Sequence, residues 1–277
     1  MKRFKPVSFL LALCLISNVE SAATDKTTID GIDYTIYYIG SDHLNYAAVT
    51  GASCSGAVTI PDTIKHSDYY DGNYSQNKPF AVREIGAYAF SNKTNITSVT
   101  ISKNVSFIGY QAFYGCSGLN SIVVDDNNKY YDSRYNCNAI IKKSSKELVV
   151  GCNNTIIPSD ITSIGNYAFY NCIGLSSIVI PKSLTKIGSQ AFWGCTGLSS
   201  IIVESENATY DSRDNCNAII STSDNNLILG CENTAIPNTV TSISSFAFYE
   251  CDGLTGITIP AHPDFSVAGS HRPCMTA

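Results

Sequence analysis

One stretch of eleven residues is written twice in this chain with a single difference. YDSRYNCNAII begins at Tyr131, and YDSRDNCNAII begins at Tyr210. The duplication is longer than this motif, because residues 113–170 and 192–249 share 33 identities in 58 positions. A catalytic site is needed once in a domain, whereas a structural unit is needed in every repeat. The feature therefore predicts a repeat protein built from stacked units.

A shorter period lies inside the duplicated unit. The pair Ala-Phe recurs with Phe at 90, 113, 169, 192 and 248. The distance from one Phe to the next alternates between a short step, which is one turn, and a long step, which also includes an enlarged turn. The short turn reads IPKSLTKIGSQAFWGCTGLSSIIV from Ile180, and its apolar positions follow no single helix or strand period. One turn cannot bury its own apolar edge, but stacked turns can. We therefore expect a solenoid in which the five Phe side chains form one internal column.

The pattern I-P-x-x-[LVI]-x-x-I-G-x-x-A-F-x-x-C-x-x-L-x-x-I resembles the BspA-like leucine-rich repeats of bacterial surface proteins. The similarity covers residues 82–260, and Lys93, Ile96 and Ser102 depart from it in the first turns. The resemblance implies the fold class, a mainly β repeat solenoid: a leucine-rich-repeat-like right-handed stack of 23-residue turns with enlarged hairpin-bearing turns. It also implies a surface adhesin or a binder of host proteins, which is an analogy at the level of the fold.

Four segments are predicted along the chain. Residues 1–23 are typical of a secretory signal peptide, because a basic start and an apolar run from Val7 to Ile16 precede small residues. Lipidation at Cys14 is the less favoured alternative, since Leu13 precedes it where a small residue is usual. Residues 24–80 are predicted to form a β-rich N-terminal cap, and residues 81–260 the solenoid. Residues 261–277 match no turn, so we expect a truncated or frame-altered end, or alternatively a disordered tail, with self-association through the uncapped end.

The composition is typical of a globular protein outside the nucleic-acid-binding and membrane-spanning classes. The chain is 44% hydrophobic and 15% charged, and its net charge of −5 gives no basic footprint for nucleic acid. The apolar run at the start is too short to span a bilayer, and no other long apolar run exists. The sequence therefore predicts a secreted or cell-surface protein without a transmembrane segment.

Ten of the eleven cysteines follow the predicted signal peptide, in an export compartment where disulfides can form. Those that lie three residues after Ala-Phe are expected to be buried, reduced thiols: Cys116, Cys172, Cys195 and Cys251. Two apolar runs between Cys137 and Cys152 instead predict a hairpin with Ile141 opposite Leu148, which would place the two cysteines opposite each other. The copy repeats this arrangement. We therefore predict two disulfides, Cys137–Cys152 and Cys216–Cys231.

The search for catalytic or ligand-binding chemistry finds little. The four histidines, at 43, 66, 262 and 271, lie in unrelated contexts, and nucleophile, zinc and phosphate-loop motifs are absent from the sequence. Residues 125–128 (DDNN) faintly resemble a calcium loop, but the copy at 204–207 loses two of the polar ligands, so a solvated turn is preferred. No catalytic residue, metal site or cofactor is predicted, and the chain is not expected to be an enzyme.

The short strand L-x-x-I-x-I leaves a surface as the candidate site. Its third and fifth positions should point outward and form two rows across the stack, and solenoids use such rows as binding faces. The predicted face comprises Ser98, Thr100, Ser121, Val123, Ser177, Val179, Ser200, Ile202, Gly256 and Thr258. Plain strand propensity explains the same residues equally well.

Two functions stay open at this point. The first is binding or adhesion to an extracellular or host protein, whose identity no motif specifies. The second is a carbohydrate-binding or cell-envelope structural role. The 17 tyrosines favour recognition of protein or sugar, although tyrosine is also common in strands for structural reasons.

Overall fold

The computed structural model describes residues 23–38, 45–70, 73–251, 253–259 and 266–267, and strands dominate these ranges. The N-terminal strands are β1 (Ala23–Ile29), β2 (Ile32–Tyr38), β3 (Tyr46–Ala52), β4 (Gly56–Ile60), β5 (Thr63–Tyr70) and β6 (Asn73–Ile85). Next come β7 (Ile96–Ile101), β8 (Phe107–Ile108), β9 (Ser121–Val124), β10 (Tyr131–Asp132), β11 (Ile140–Lys142), β12 (Glu147–Val150) and β13 (Ser163–Ile164). The last strands are β14 (Ser177–Ile180), β15 (Lys186–Ile187), β16 (Ser200–Val203), β17 (Tyr210–Asp211), β18 (Ala218–Ser221), β19 (Asn226–Gly230), β20 (Ser242–Ile243) and β21 (Ser266–Val267). Two short 3₁₀ turns, Arg134–Asn136 and Arg213–Asn215, supply the helical content of these ranges.

A six-stranded sheet lies at the N-terminal end, in the order β1-β2-β3-β6-β5 with β8 paired to β6. Its first hairpin turns at Asp30 and Gly31, whose φ angles of 51° and 73° are those of a type I′ turn. The predicted boundary at residue 80 falls inside β6, and β4, within the predicted cap, pairs with β7. The N-terminal sheet and the repeats therefore share strands instead of meeting at a linker.

The repeats stack through short parallel strands. β4, β7 and β9 form one sheet, and β14 and β16 form another. Ser98 pairs with Ser121 and Ser177 with Ser200, so the partners in each pair occupy the same position in successive turns. Because successive side chains on a strand point to opposite faces, the intervening aliphatic residues, such as Ile122 and Ile178, are buried in the core.

The enlarged turns carry the predicted hairpins in the predicted register. Ile141 lies opposite Leu148 in β11–β12, and Ile220 lies opposite Leu227 in β18–β19. Each hairpin joins a row of two-residue strands, which gives the sheets β10-β11-β12-β13-β15 and β17-β18-β19-β20-β21. β21 belongs to the predicted tail, so two residues of that tail extend the second of these sheets. The other residues of 261–277, and residues 1–22 of the predicted signal peptide, lie outside the described ranges.

The predicted single column of phenylalanine rings is wrong, because the stacking is pairwise. The ring of Phe90 lies on that of Phe113 with centroids 5.1 Å apart, and Phe169 lies on Phe192 at 5.0 Å. These are the neighbours that the short step separates in the sequence. The long step inserts a hairpin between successive pairs, and the backbone of that hairpin interrupts the column.

Two glycines allow this insertion. A Cβ atom on Gly151, directly after β12, would lie 2.2 Å from Cε1 of Phe169. A Cβ atom on Gly230, at the end of β19, would lie 2.1 Å from Cε1 of Phe248. Only a residue without a side chain lets the hairpin backbone lie directly against each buried ring. At these two positions the hairpin backbone, and not the next phenylalanine ring, covers the buried ring.

Candidate binding surfaces

The motif that opens each enlarged turn has a structural role. The buried Tyr131 hydroxyl accepts a hydrogen bond from the backbone N–H of Ile108 at 3.1 Å. Arg134 makes a bidentate ion pair with Asp132, through Nε to Oδ1 at 2.9 Å and Nη2 to Oδ2 at 2.7 Å. The copy contains the same bidentate pair. In the copy the Tyr210 hydroxyl donates to the carbonyl oxygen of Thr185 in the preceding turn at 3.5 Å. The tyrosine therefore links each enlarged turn to the turn before it, and the ion pair holds the motif itself together.

The interpretation of residues 125–128 as a solvated turn is wrong for Asn128, which is 1% exposed. Its Nδ2 donates to the carbonyl oxygens of Ser102 at 2.8 Å and Val105 at 2.9 Å. Its Oδ1 accepts from the backbone N–H groups of Tyr130 and Tyr131, both at 2.9 Å. The equivalent asparagine of the copy makes four corresponding bonds. A buried amide with all these partners holds two turns together and leaves its oxygen unavailable to a cation.

The predicted disulfides are also wrong. The four cysteines concerned are buried free thiols in this structure: Cys137, Cys152, Cys216 and Cys231. A β-bulge is the reason, because Ile140 lies opposite Val150 and not opposite Val149. Beyond the bulge the facing residues are shifted by one position, and the same shift occurs in the copy. The two side chains of each predicted bridge consequently pack in different clusters of the core.

Of the cysteines that follow Ala-Phe, Cys116, Cys172 and Cys195 are buried free thiols, as predicted. The thiol of Cys116 donates to the carbonyl oxygen of Phe90 at 3.0 Å, and that of Cys195 donates to Phe169 at 3.2 Å. Burial raises the pKa of Cys116 to about 11 and that of Cys195 to about 12. These thiols are therefore protonated at neutral pH. Cys251 is only half-buried.

His66 is the one histidine within the described ranges, and its Nε2 lies 2.7 Å from Oδ2 of Asp25. This hydrogen bond lowers the pKa of the Asp25 carboxyl. His43, His262, His271 and Cys14 lie outside the described residues. Among the residues that are described, no group of three or more His, Cys, Asp and Glu side chains is placed to hold a metal ion. Over the same ranges, no helix combines the length and the apolarity needed to cross a membrane.

The predicted strand face lies at the surface, although Ser98, Ser121 and Ser200 are half-buried, and the structure divides it in two. One sheet brings together the pairs Ser98–Ser121 and Thr100–Val123, and the other brings together Ser177–Ser200 and Val179–Ile202. The side chains of Val123, Val179 and Ile202 are 49%, 48% and 51% exposed. Gly256 and Thr258 are exposed outside any strand. An enlarged turn separates β9 from β14 in the sequence, so each sheet presents its own small face.

A second surface, which the sequence analysis missed, is a row of aromatic side chains along the stack. This aromatic belt consists of Tyr88, Tyr110, Tyr114, Tyr167, Tyr170, Trp193, Phe246 and Tyr249. Its ring centroids are 5.8 Å apart for Tyr88–Tyr110, 5.9 Å for Tyr110–Tyr167, 3.8 Å for Tyr114–Tyr170, 6.3 Å for Tyr170–Trp193 and 4.0 Å for Trp193–Tyr249. Each member lies within two residues of an Ala-Phe pair. The aromatic residues that flank those pairs were the signal that could have identified it.

The backbone fixes the direction of three belt side chains. Tyr88, Tyr167 and Phe246 have φ angles of 60°, 59° and 68°. This left-handed conformation costs a residue with a side chain about 1–2 kcal/mol, and it is rare for bulky residues. Desolvation, followed by a hydrogen bond to Tyr167, raises the pKa of Tyr110 to about 12. The Tyr110 phenol is therefore neutral at physiological pH.

Comparison with known proteins identifies the repeats. The family model described as BspA type leucine rich repeat region matches residues 62–146, 139–228 and 225–265, in six copies. No curated protein matches the chain significantly.

Several solved structures are similar to this chain. A leucine rich cell surface protein from Faecalibacterium prausnitzii is 23% identical, with a TM-score of 0.44 over 86% of this chain and 71% of that one. The pneumococcal vaccine antigen PcpA is 18% identical, with a TM-score of 0.49 over 84% of this chain and 64% of that one. A leucine-rich repeat protein from Bacteroides ovatus is 24% identical, with a TM-score of 0.41 over 84% of this chain and 53% of that one. The chain thus spans less than two thirds of the last two.

Proposed function

Because the chain belongs to the BspA-type leucine-rich repeat family, we propose that it is a secreted or cell-surface protein that binds an extracellular or host protein, as in adhesion. The observation that carries the proposal is the outward face of the parallel strands. Their register holds Thr100 beside Val123 and Val179 beside Ile202. A surface held this rigidly loses little conformational entropy when a partner binds.

The chemistry of this face favours a protein partner. Val123, Val179 and Ile202 expose about half of their aliphatic side chains, and none of the ten predicted face residues carries a charge. Exposed apolar residues that lie side by side are typical of protein interaction sites. The neighbouring row of serines is small, so side chains of a partner can reach the aliphatic row without obstruction.

The proposal includes the finer features of the fold and of the location. We take the stack to be right-handed and to consist of 23-residue turns with enlarged hairpin-bearing turns between them. The pairing of Ser98 with Ser121 and of Ser177 with Ser200 supports the length of the short turn. Export is supported by the predicted signal peptide at residues 1–23. We assign no catalytic role and no nucleic-acid partner to the chain.

The test is a capture assay with a triple variant of the face. The full chain and the variant Val123→Asp, Val179→Asp, Ile202→Asp are compared for binding to a panel of immobilised extracellular-matrix and plasma proteins. We expect saturable binding of the parent to at least one panel protein and loss of that binding in the variant. Binding should be lost because the three new carboxylates would be buried in an apolar interface with the partner, where no opposite charge would compensate them.

The matched control carries Asp at Ile156 and Ile173. Both side chains are exposed, and both lie outside the strands. This variant also removes exposed aliphatic surface, so its binding should equal that of the parent. Equal binding by the folded triple variant, or no saturable binding of the folded parent to any panel protein, contradicts the proposal.

A further inference from the structure

A cavity of about 380 Å³ opens in the aromatic belt between the turn of Phe192 and the turn of Phe248. Trp193, Phe246 and Tyr249 line it with their rings, and the rings of Phe246 and Tyr249 lie 4.5 Å and 4.0 Å from that of Trp193. The hairpin strand β19 lines another side. Its volume falls within the range of about 300–1,000 Å³ that is usual for small-molecule sites.

The cavity exists because the enlarged turn spreads two neighbouring turns apart. An equivalent cavity lies in the first copy of the duplicated segment, and the residues that line it are the counterparts of those that line the larger one. That first cavity measures only about 70 Å³. Tyr110 stands beside it and packs on Tyr167 at 5.9 Å, whereas the corresponding residue of the larger cavity is Ser189. The loss of one phenol ring therefore explains why the second cavity is open.

The polar groups of the cavity are hydroxyls and an amide. Ser189, Gln190, Ser244 and Ser245 contribute them, and among the described residues that line the cavity none carries a formal charge. An ionic ligand would lose its hydration here without gaining a partner charge, so the site disfavours charged ligands. The complementary ligand is neutral and rich in hydrogen-bonding groups.

The backbone around the cavity argues against an extended peptide as the ligand. The N–H of Gly230 donates to Ala247 at 2.8 Å, and the carbonyl oxygen of Ser189 accepts from Tyr167 at 3.2 Å. These groups already serve the stack, so they offer no open strand edge to which a peptide could add. Recognition must come from ring faces and side-chain hydroxyl and amide groups. Sugars in the ring form match both, because they have one apolar C–H face and a rim of hydroxyl groups.

We propose that this cavity is a binding site for a neutral pyranose ring of an oligosaccharide, with the ring packed against the aromatic wall that Trp193 and Phe246 form and its hydroxyl groups bonded to Gln190 and Ser189. The site lies apart from the strand face. It rests on the cavity and the belt alone, so it stands or falls separately from the proposed protein binding.

Trp193 is the only tryptophan of the chain, so its fluorescence reports directly on the cavity. The full chain is titrated with cellotriose, maltotriose, xylotriose and chitotriose, and, for comparison, with anionic sialyllactose and a proline-rich peptide. Saturation-transfer NMR follows the same ligands independently of the tryptophan. We expect saturable binding of at least one neutral oligosaccharide. Binding of sialyllactose or the peptide alone, or of no ligand, overturns the proposal.

Two variants test the location. Ser189→Tyr introduces the residue of the closed copy and should weaken oligosaccharide binding by about tenfold or more. Phe246→Gln removes an aromatic wall of the cavity and should weaken binding to the same extent. The variant should fold, because Gln111 and Gln190 occupy the equivalent position of other turns with φ angles of 51° and 53°. Tyr88→Gln is the matched control outside the cavity and should bind like the parent. If Ser189→Tyr does not fold, Phe246→Gln alone tests the location of the site. Oligosaccharide affinity like that of the parent in the folded cavity variants would overturn the proposed site.

Discussion

Asn128 offers the sharpest test of how the duplicated unit is held together. Its amide makes four hydrogen bonds to backbone groups, all between 2.8 and 2.9 Å. Each such bond contributes about 0.5–1.5 kcal/mol net, so Asn128→Ala should lower the free energy of unfolding by about 2–6 kcal/mol. The surface change Asn127→Ala, at an exposed neighbour, should stay within about 0.5 kcal/mol of the parent.

The variant Asn128→Asp separates the donors from the acceptor. A carboxylate can still accept from Tyr130 and Tyr131, but it cannot donate to the carbonyl oxygens of Ser102 and Val105. It also brings a buried negative charge against those two oxygens. At neutral pH we therefore expect Asn128→Asp to destabilise the chain at least as much as Asn128→Ala.

The assay has a global and a local readout. Urea denaturation gives the change in unfolding free energy, and hydrogen exchange follows the amides of Tyr130 and Tyr131. Because stacked repeats can unfold in parts, the corresponding amides of the copy, Thr209 and Tyr210, serve as an internal reference. A loss below about 0.5 kcal/mol, with unchanged protection of Tyr130 and Tyr131, would refute the reasoning.

The remaining predictions concern the core. Gly151→Ala and Gly230→Ala should each lower the free energy of unfolding by about 1–3 kcal/mol, because the new Cβ would overlap a buried phenylalanine ring. Gly256→Ala is the control and should be neutral, because its new Cβ meets nothing within 4 Å. Urea denaturation that shows the same stability for all three variants would contradict the prediction. Burial raises the pKa of Cys116 and Cys137 to about 11, so the folded state favours the protonated thiol. The free energy of unfolding should therefore be highest below pH 9 and should fall as the pH rises from 9 to 11, because the unfolded state then loses the thiol protons first. A denaturation midpoint that does not change over this pH range would contradict the prediction. At pH 8 the buried thiols should react with a thiol reagent only after the protein unfolds. Fast reaction of all the buried thiols in the native protein, or an intact mass that shows disulfide bridges, would argue against a core of free thiols.

Local patterns predicted those features of the fold that depend on local spacing. The pattern L-x-x-I-x-I gave the inward and outward positions of the solenoid strands, and the two apolar runs gave the facing pair Ile141 and Leu148. Both predictions depend on the alternation of side chains along a strand, and the order of apolar and polar residues in the sequence shows this alternation. The disulfides failed because one extra residue at the bulge shifts every later pair, and no residue type announces a bulge at Ile140.

Burial at a distance was harder to predict than spacing. Asn128 lies in a run of four polar residues, and such a run usually indicates a solvated turn. Its partners Ser102 and Val105 belong to the previous turn, so the contacts that bury it become visible only once the stack is assembled. The interrupted phenylalanine column has the same origin, since the sequence does not state where a hairpin backbone will pass.

The aromatic belt and its cavities show what the duplicated unit retains besides its core. Five left-handed positions precede the Ala-Phe pairs, and they hold Tyr88, Gln111, Tyr167, Gln190 and Phe246 with φ angles between 51° and 68°. Glutamine and aromatic residues adopt the same backbone there, so the backbone does not require a ring. In both cavities one wall carries the glutamine and the other carries the aromatic residue. The arrangement places an amide opposite a ring twice, at sites where a bulky side chain costs about 1–2 kcal/mol. Because every turn has this left-handed position, the turn itself requires the backbone conformation, and a ligand-binding surface would account only for the choice of side chains there.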